Sequence, residues 1–129
     1  SNPPYLPADR ADTRRLDAAR RAAMVESVPV ADWIAFMARS CRPDGQMTLI
    51  HRADRLEELL PAVAAHAGAI RVLPVWPRKG EPAKRVIVSA RVGANTPTRI
   101  CPGLVLHDET GSYTSAALRL IDEGTALEF

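Results

Sequence analysis

The residues with the most pointed chemistry stand at the start of the sequence. Asn2-Pro3-Pro4-Tyr5 joins an amide, two prolines and a phenol. Proline locks φ, so such a stretch is stiff and fixes where its carbonyl groups point. By itself it also reads as a polyproline-like tail ending in an exposed tyrosine. Two groups of cations follow. Arg10, Arg14, Arg15, Arg20 and Arg21 lie in a segment that also holds Asp9, Asp12 and Asp17. Arg78, Lys79, Lys84 and Arg85 bracket a short link further on. Either group could meet nucleic-acid phosphates or form a solvated face. His51, His66 and His107 have no metal-ligand spacing and read as structural or solvated, so no metal is expected. Cys41 falls on an apolar helical stripe and reads as a core thiol, whereas Cys101 sits in a loop beside Pro102.

Those residues must be positioned by a fold of modest size. The 129 residues suit one domain, with 47% hydrophobic and 25% charged residues, an ordinary globular balance. No apolar run reaches the ~20 residues that span a bilayer, and no secretory signal opens the sequence, so the expected compartment is the cytoplasm with no membrane partner. The 17 Lys+Arg against 15 Asp+Glu leave a formal charge of +2, which permits nucleic-acid binding without demanding it. Aromatics at 5% are too few for a broad base-stacking platform.

The pattern along the chain is mixed. Residues 9–26, rich in Ala and Arg, suit a surface helix. Over 30–42, Ile34, Met37, Ala38 and Cys41 repeat at helical spacing, and Pro43-Asp44-Gly45 ends the helix. Met47–Ile50 reads as a strand. Asp54 and Glu57 have capping-box spacing ahead of Leu56, Leu59, Leu60 and Val63, with Pro61 as an interruption and Gly68 as the stop. Ile70–Trp76 is a strand whose Pro74 cannot donate, which points to a sheet edge. Arg85–Val92 is almost continuously apolar and reads as a central strand, joined to its predecessor as a hairpin. A strand over 103–107, a turn at 108–111 and a helix over 114–123, burying Ala117, Leu118 and Ile121, complete the series. Strand–helix–strand implies a right-handed parallel crossover, and the hairpin adds one antiparallel strand. The fold class expected is α/β, half of a doubly wound sheet.

Asn2-Pro3-Pro4-Tyr5 resembles the catalytic motif of amino-group methyltransferases that use S-adenosylmethionine (SAM). In that family the motif follows the fourth strand of a Rossmann-like sheet. A helix, the fifth strand, another helix, and a sixth–seventh antiparallel hairpin come after it, with the seventh strand lying between the fifth and sixth. Further stretches, Lys84-Arg85-Val86-Ile87-Val88, Gly103-Leu104-Val105-Leu106-His107 and Gly111-Ser112-Tyr113-Thr114, are similar to bacterial tRNA adenine-N6 methyltransferases acting on valine tRNA.

The resemblance implies that residues 1–129 form the C-terminal portion of a methyltransferase domain, a mixed sheet with an antiparallel hairpin at one edge. It assigns the Asn2 side-chain oxygen and the Pro3 carbonyl as acceptors for the N–H groups of the target amine. Pro4 stiffens the loop and Tyr5 stacks on the base. Arg10, Arg14, Arg15, Arg21, Lys79 and Lys84 become candidate tRNA contacts. The glycine-rich turn of a SAM site is not among these residues, so the chain alone is expected to bind SAM poorly and not to turn over. Two other readings remain open: a protein-glutamine methyltransferase of the release-factor type, and a non-catalytic remnant that forms homo-oligomers through an uncovered half-sheet.

Overall fold

The computed structural model describes residues 1–4, 28–127 and 129. The elements, in order, are α1 (Val30–Ser40), β1 (Gln46–Arg52), a 3-10 turn (Ala53–Arg55), α2 (Leu56–Ala64), β2 (Ala67–Arg78), β3 (Arg85–Val92), β4 (Arg99–Ile100), β5 (Leu104–His107) and α3 (Ser115–Ile121). The helix expected over residues 9–26 lies outside the described residues.

β3 runs between β1 and β2, antiparallel to both. Its apolar run is thus explained: Val86, Val88, Ser89 and Ala90 are all buried. α1 and α2 cover one face. Val30, Ile34 and Ala38 of α1 and Leu59 and Val63 of α2 pack against Met47, Leu49, Val72, Val86, Val88 and Ala90. Leu73, one residue beyond Val72, turns to the opposite face, since side chains alternate along a strand. There it shares a cavity of about 320 Å³ with Leu104 and with Ala116 and Leu120 of α3. The sheet is therefore layered by helices on both faces, the arrangement that parallel crossovers require.

The hairpin takes one side of the sheet as expected, but β2 is not its open edge. β4 and β5 both pair with β2 in parallel. Pro74 is tolerated because the flanking chain is broken opposite it. Val72 matches Ile100 and Val75 matches Leu104, so Leu73 and Pro74 face the interval between the two short strands. A missing N–H costs nothing where the neighbouring chain offers no ladder. Gly103 (φ +91) makes that interval; a Cβ there would stand 2.5 Å from the Pro74 carbonyl oxygen.

Other local expectations give way to tertiary contacts. Gly68 does not stop α2. It lies in β2, where a Cβ would come within 2.1 Å of the Ala94 carbonyl oxygen. The helix ends at Ala65, whose N–H donates to Pro61 O, and it runs through Pro61 rather than restarting. The capping box is not made: α2 has no side-chain cap, and Asp54 is paired with Arg52 instead. α3 is capped by Thr114, which accepts from Ala117 N at 3.2 Å, but only Ala117 is buried; Leu118 and Ile121 are exposed.

Candidate functional site

Ser1 extends the sheet on the far side of β1. Its nitrogen donates to Thr48 O at 2.7 Å, and Ile50 N donates to Ser1 O at 3.0 Å. These two bonds, to the neighbours on either side of Leu49, form a parallel bridge. A third bond fixes the side chain: Trp33 Nε1 of α1 donates to Ser1 Oγ at 2.9 Å. Asn2, Pro3 and Pro4 therefore leave the sheet toward the carboxyl end of β1. Pro3 is buried and Pro4 half-buried, which anchors the loop, while Asn2 is exposed. Among the described residues, no hydrogen bond engages the Asn2 amide or the Pro3 carbonyl. Tyr5, Arg10, Arg14, Arg15 and Arg21 lie outside the described residues.

The strand registers bring other groups to the same end. β1 ends at Arg52, which faces Arg85 at the start of β3. β2 reaches Arg78, which is in register with His107 at the end of β5. The motif, the β2–β3 hairpin and the loop after β5 thus share the carboxyl end of the parallel strands, the end where open α/β sheets hold their ligands. With strands ~4.8 Å apart, β3 and β2 lie roughly 10 and 14 Å from the Ser1 segment. Lys79 and Lys84 are both exposed on the hairpin. Arg78 is partly offset by Glu81 at 3.5 Å, and Arg55 pairs with Glu58, Nε to Oε1 at 2.8 Å.

Two carboxylates at this end are held below their ordinary range. The Arg52 guanidinium, hydrogen-bonded to Asp54, lowers that group. Asp108 is lowered mainly by the Thr110 hydroxyl, which donates to Oδ1 at 2.7 Å, with help from the backbone N–H groups of Thr110 (2.9 Å) and Ser112 (3.1 Å). These bonds make the 108–112 turn a self-contained loop. Together with Arg78 and Lys79 it lines a cleft of about 590 Å³.

The histidines divide. His51 is buried in the sheet and His66 is exposed on the surface. His107 lines the cleft and stacks on Tyr113, with ring centroids 4.7 Å apart and planes 28° apart. The sequence reading gave His107 no role of this kind. The signal was a His and a Tyr flanking a tight Asp-Glu-Thr-Gly turn, which folds the two rings together. Cys41 and Cys101 are half-buried and free. No cluster of potential metal ligands occurs among the described residues, and no described helix is long and apolar enough to cross a membrane. Among the glycines, a Cβ at Gly68 or Gly103 would clash with protein atoms, whereas Gly80 and Gly124 have open space around them.

No protein-family model and no curated protein sequence matches the chain significantly. Its structure matches that of a predicted O-methyltransferase from Agrobacterium tumefaciens, with a TM-score of 0.74 and 24% identity over 92% of this chain. The chain spans 63% of that protein's length. The likeness is one of fold: the chain carries a mixed α/β sheet, with parallel and antiparallel strands, that resembles a methyltransferase fold.

Proposed function

We propose that this chain is the acceptor-binding, C-terminal part of a SAM-dependent methyltransferase that modifies an exocyclic amino group, adenine N6 in tRNA. The observation that carries this reading is the geometry of the opening loop. Ser1 is held by three hydrogen bonds, and the next residue presents an exposed amide at the carboxyl end of the parallel strands.

An aromatic amine is a weak nucleophile because its lone pair is delocalised into the ring. Acceptors on both of its N–H groups favour a pyramidal nitrogen and stabilise the positive charge that develops as the new N–C bond forms. The Asn2 Oδ1 atom and the Pro3 carbonyl oxygen are the two acceptors. Acceptors on a fixed backbone need little reorganisation at the transition state, and the bonds to Ser1 and the buried Pro3 fix the backbone that carries these two. Tyr5 supplies the stacking surface for the base. SAM, when bound, supplies an electrophilic methyl group. We assign residues of this chain to the acceptor side. The proton released from nitrogen passes to solvent.

The test compares acceptors. The full-length gene product is incubated with methyl-labelled SAM and either unmodified tRNA or a release factor. Label in N6-methyladenosine upholds the reading. Label in a glutamine side chain would keep the loop chemistry and move the acceptor to protein. Label in neither would reject amino-group transfer to these classes.

A further inference from the structure

The cleft between the hairpin and the 108–112 turn is not part of the motif, and its chemistry is distinct. One wall carries a guanidinium and an ammonium, Arg78 and Lys79. The floor is Val105 and the His107 ring, and Tyr113 backs that ring by stacking on it. His107 Nδ1 is buried and has no hydrogen-bond partner, so the ring is held by stacking and not by its nitrogen. Two carboxylates, Asp108 and Glu109, also line the cleft. Asp108 takes three bonds on Oδ1, from the Thr110 hydroxyl and the Thr110 and Ser112 backbone amides, and keeps its negative charge. Glu109 is exposed. The Thr110 and Thr114 hydroxyls are also committed, to Asp108 and to the Val105 carbonyl. The cleft therefore offers a flat aromatic surface, two cations and two carboxylates, of which Asp108 is already engaged through Oδ1 and Glu109 is exposed.

We propose that this cleft holds one nucleotide of single-stranded RNA. The base lies on the His107 ring, the phosphate sits between Arg78 and Lys79, and an amino-bearing base edge points to Glu109. The volume of about 590 Å³ falls within the range of small-ligand sites. Charge favours the phosphate at Arg78 and Lys79 over a position at Asp108 and Glu109, and there it competes with Glu81, 3.5 Å from Arg78. Stacking on an aromatic ring serves every base, so the site fixes the strand and leaves choice of the target to the opening loop. The choice of RNA as the polymer rests on the methyltransferase reading; the nucleotide chemistry does not.

The experiment is fluorescence anisotropy with a labelled mixed-sequence hexaribonucleotide, with AMP as competitor, over a salt series. The full-length protein is compared with Arg78→Gln/Lys79→Gln and with His107→Leu, each checked for folding by circular dichroism. Loss of both cations from the one phosphate they hold should flatten the slope of log K against log salt by roughly 0.7. Loss of the stacking ring should weaken binding about 5- to 150-fold with the slope unchanged. AMP competing only at concentrations far above the hexamer's own Kd supports a strand; AMP competing as well as the hexamer would overturn the strand in favour of a free nucleotide. No hexamer binding, or the same affinity and slope in both variants, overturns the site. Binding intact without methylation would sink the methyltransferase reading alone; methylation intact with unaltered binding in the variants would sink only the cleft.

Discussion

Gly103→Ala is the substitution whose outcome the fold dictates most firmly. Gly103 has φ +91, and an added Cβ would meet the Trp76 ring at 2.1 Å and the Pro74 carbonyl oxygen at 2.5 Å. The ring could swing aside, but the carbonyl belongs to β2 and can only move with the strand. Two costs combine: about 1–3 kcal/mol for an L-residue in this backbone region, and about 1–3 kcal/mol for forcing a close-packed contact apart. Gly80→Ala is the control. It has φ +83 and nothing within 4 Å of the Cβ position, so it carries the backbone cost alone. Urea unfolding of both variants should show Gly103→Ala less stable than Gly80→Ala by about 1–3 kcal/mol. With a slope of about 1–3 kcal/mol/M, the midpoint separates by roughly 1 M. Midpoints that coincide would refute the claim that the β4–β5 interval is set by contact with β2.

Three further outcomes follow. Leu59→Ala, at a fully buried position beneath α1, should lose about 2–5 kcal/mol in the same assay. Thr114→Ala removes the α3 cap and the bond from Thr114 Oγ1 to Val105 O (2.7 Å), and should cost about 1–2 kcal/mol. Asp54 is held below its ordinary value of 3.8 by Arg52, so its stabilising effect is complete above about pH 4 and is lost as pH falls through the lowered value. Asp54→Asn should therefore flatten the acid limb of a stability–pH profile and leave neutral pH less stable than the parent. An unchanged acid limb would argue against the Arg52–Asp54 pair.

Much of the sheet was legible because burial writes itself into sequence. The apolar run of Arg85–Val92 could only be an inner strand, and the stripe through Ile34 and Ala38 could only face a core. What was not legible depends on contacts far along the chain. Gly68 looks like a helix stop until the Ala94 carbonyl, from the turn after β3, comes against it. Pro74 looks like an edge residue until β4 and β5 flank it with a break opposite the proline. β4 has only two residues, too few for any periodicity to show. Asp54 reads as part of a capping box with Glu57, but the guanidinium of Arg52, two residues back, takes its carboxylate instead. The opening tetrapeptide drew attention by residue type alone. Its anchoring was not legible: Trp33 lies 32 positions away in sequence and meets Ser1 only because α1 packs beside β1.

The account turns on the oxygen atoms of the opening loop, and one comparison tests them most directly. Steady-state methylation of unmodified tRNA is measured for the full-length gene product and for Asn2→Ala, with KM for SAM recorded alongside kcat. Losing one pre-aimed acceptor at the transition state should cost about 2–4 kcal/mol, so kcat should fall roughly 30- to 1,000-fold with KM for SAM unchanged. An Asn2→Ala protein that methylates tRNA within about twofold of the parent rate would contradict the account.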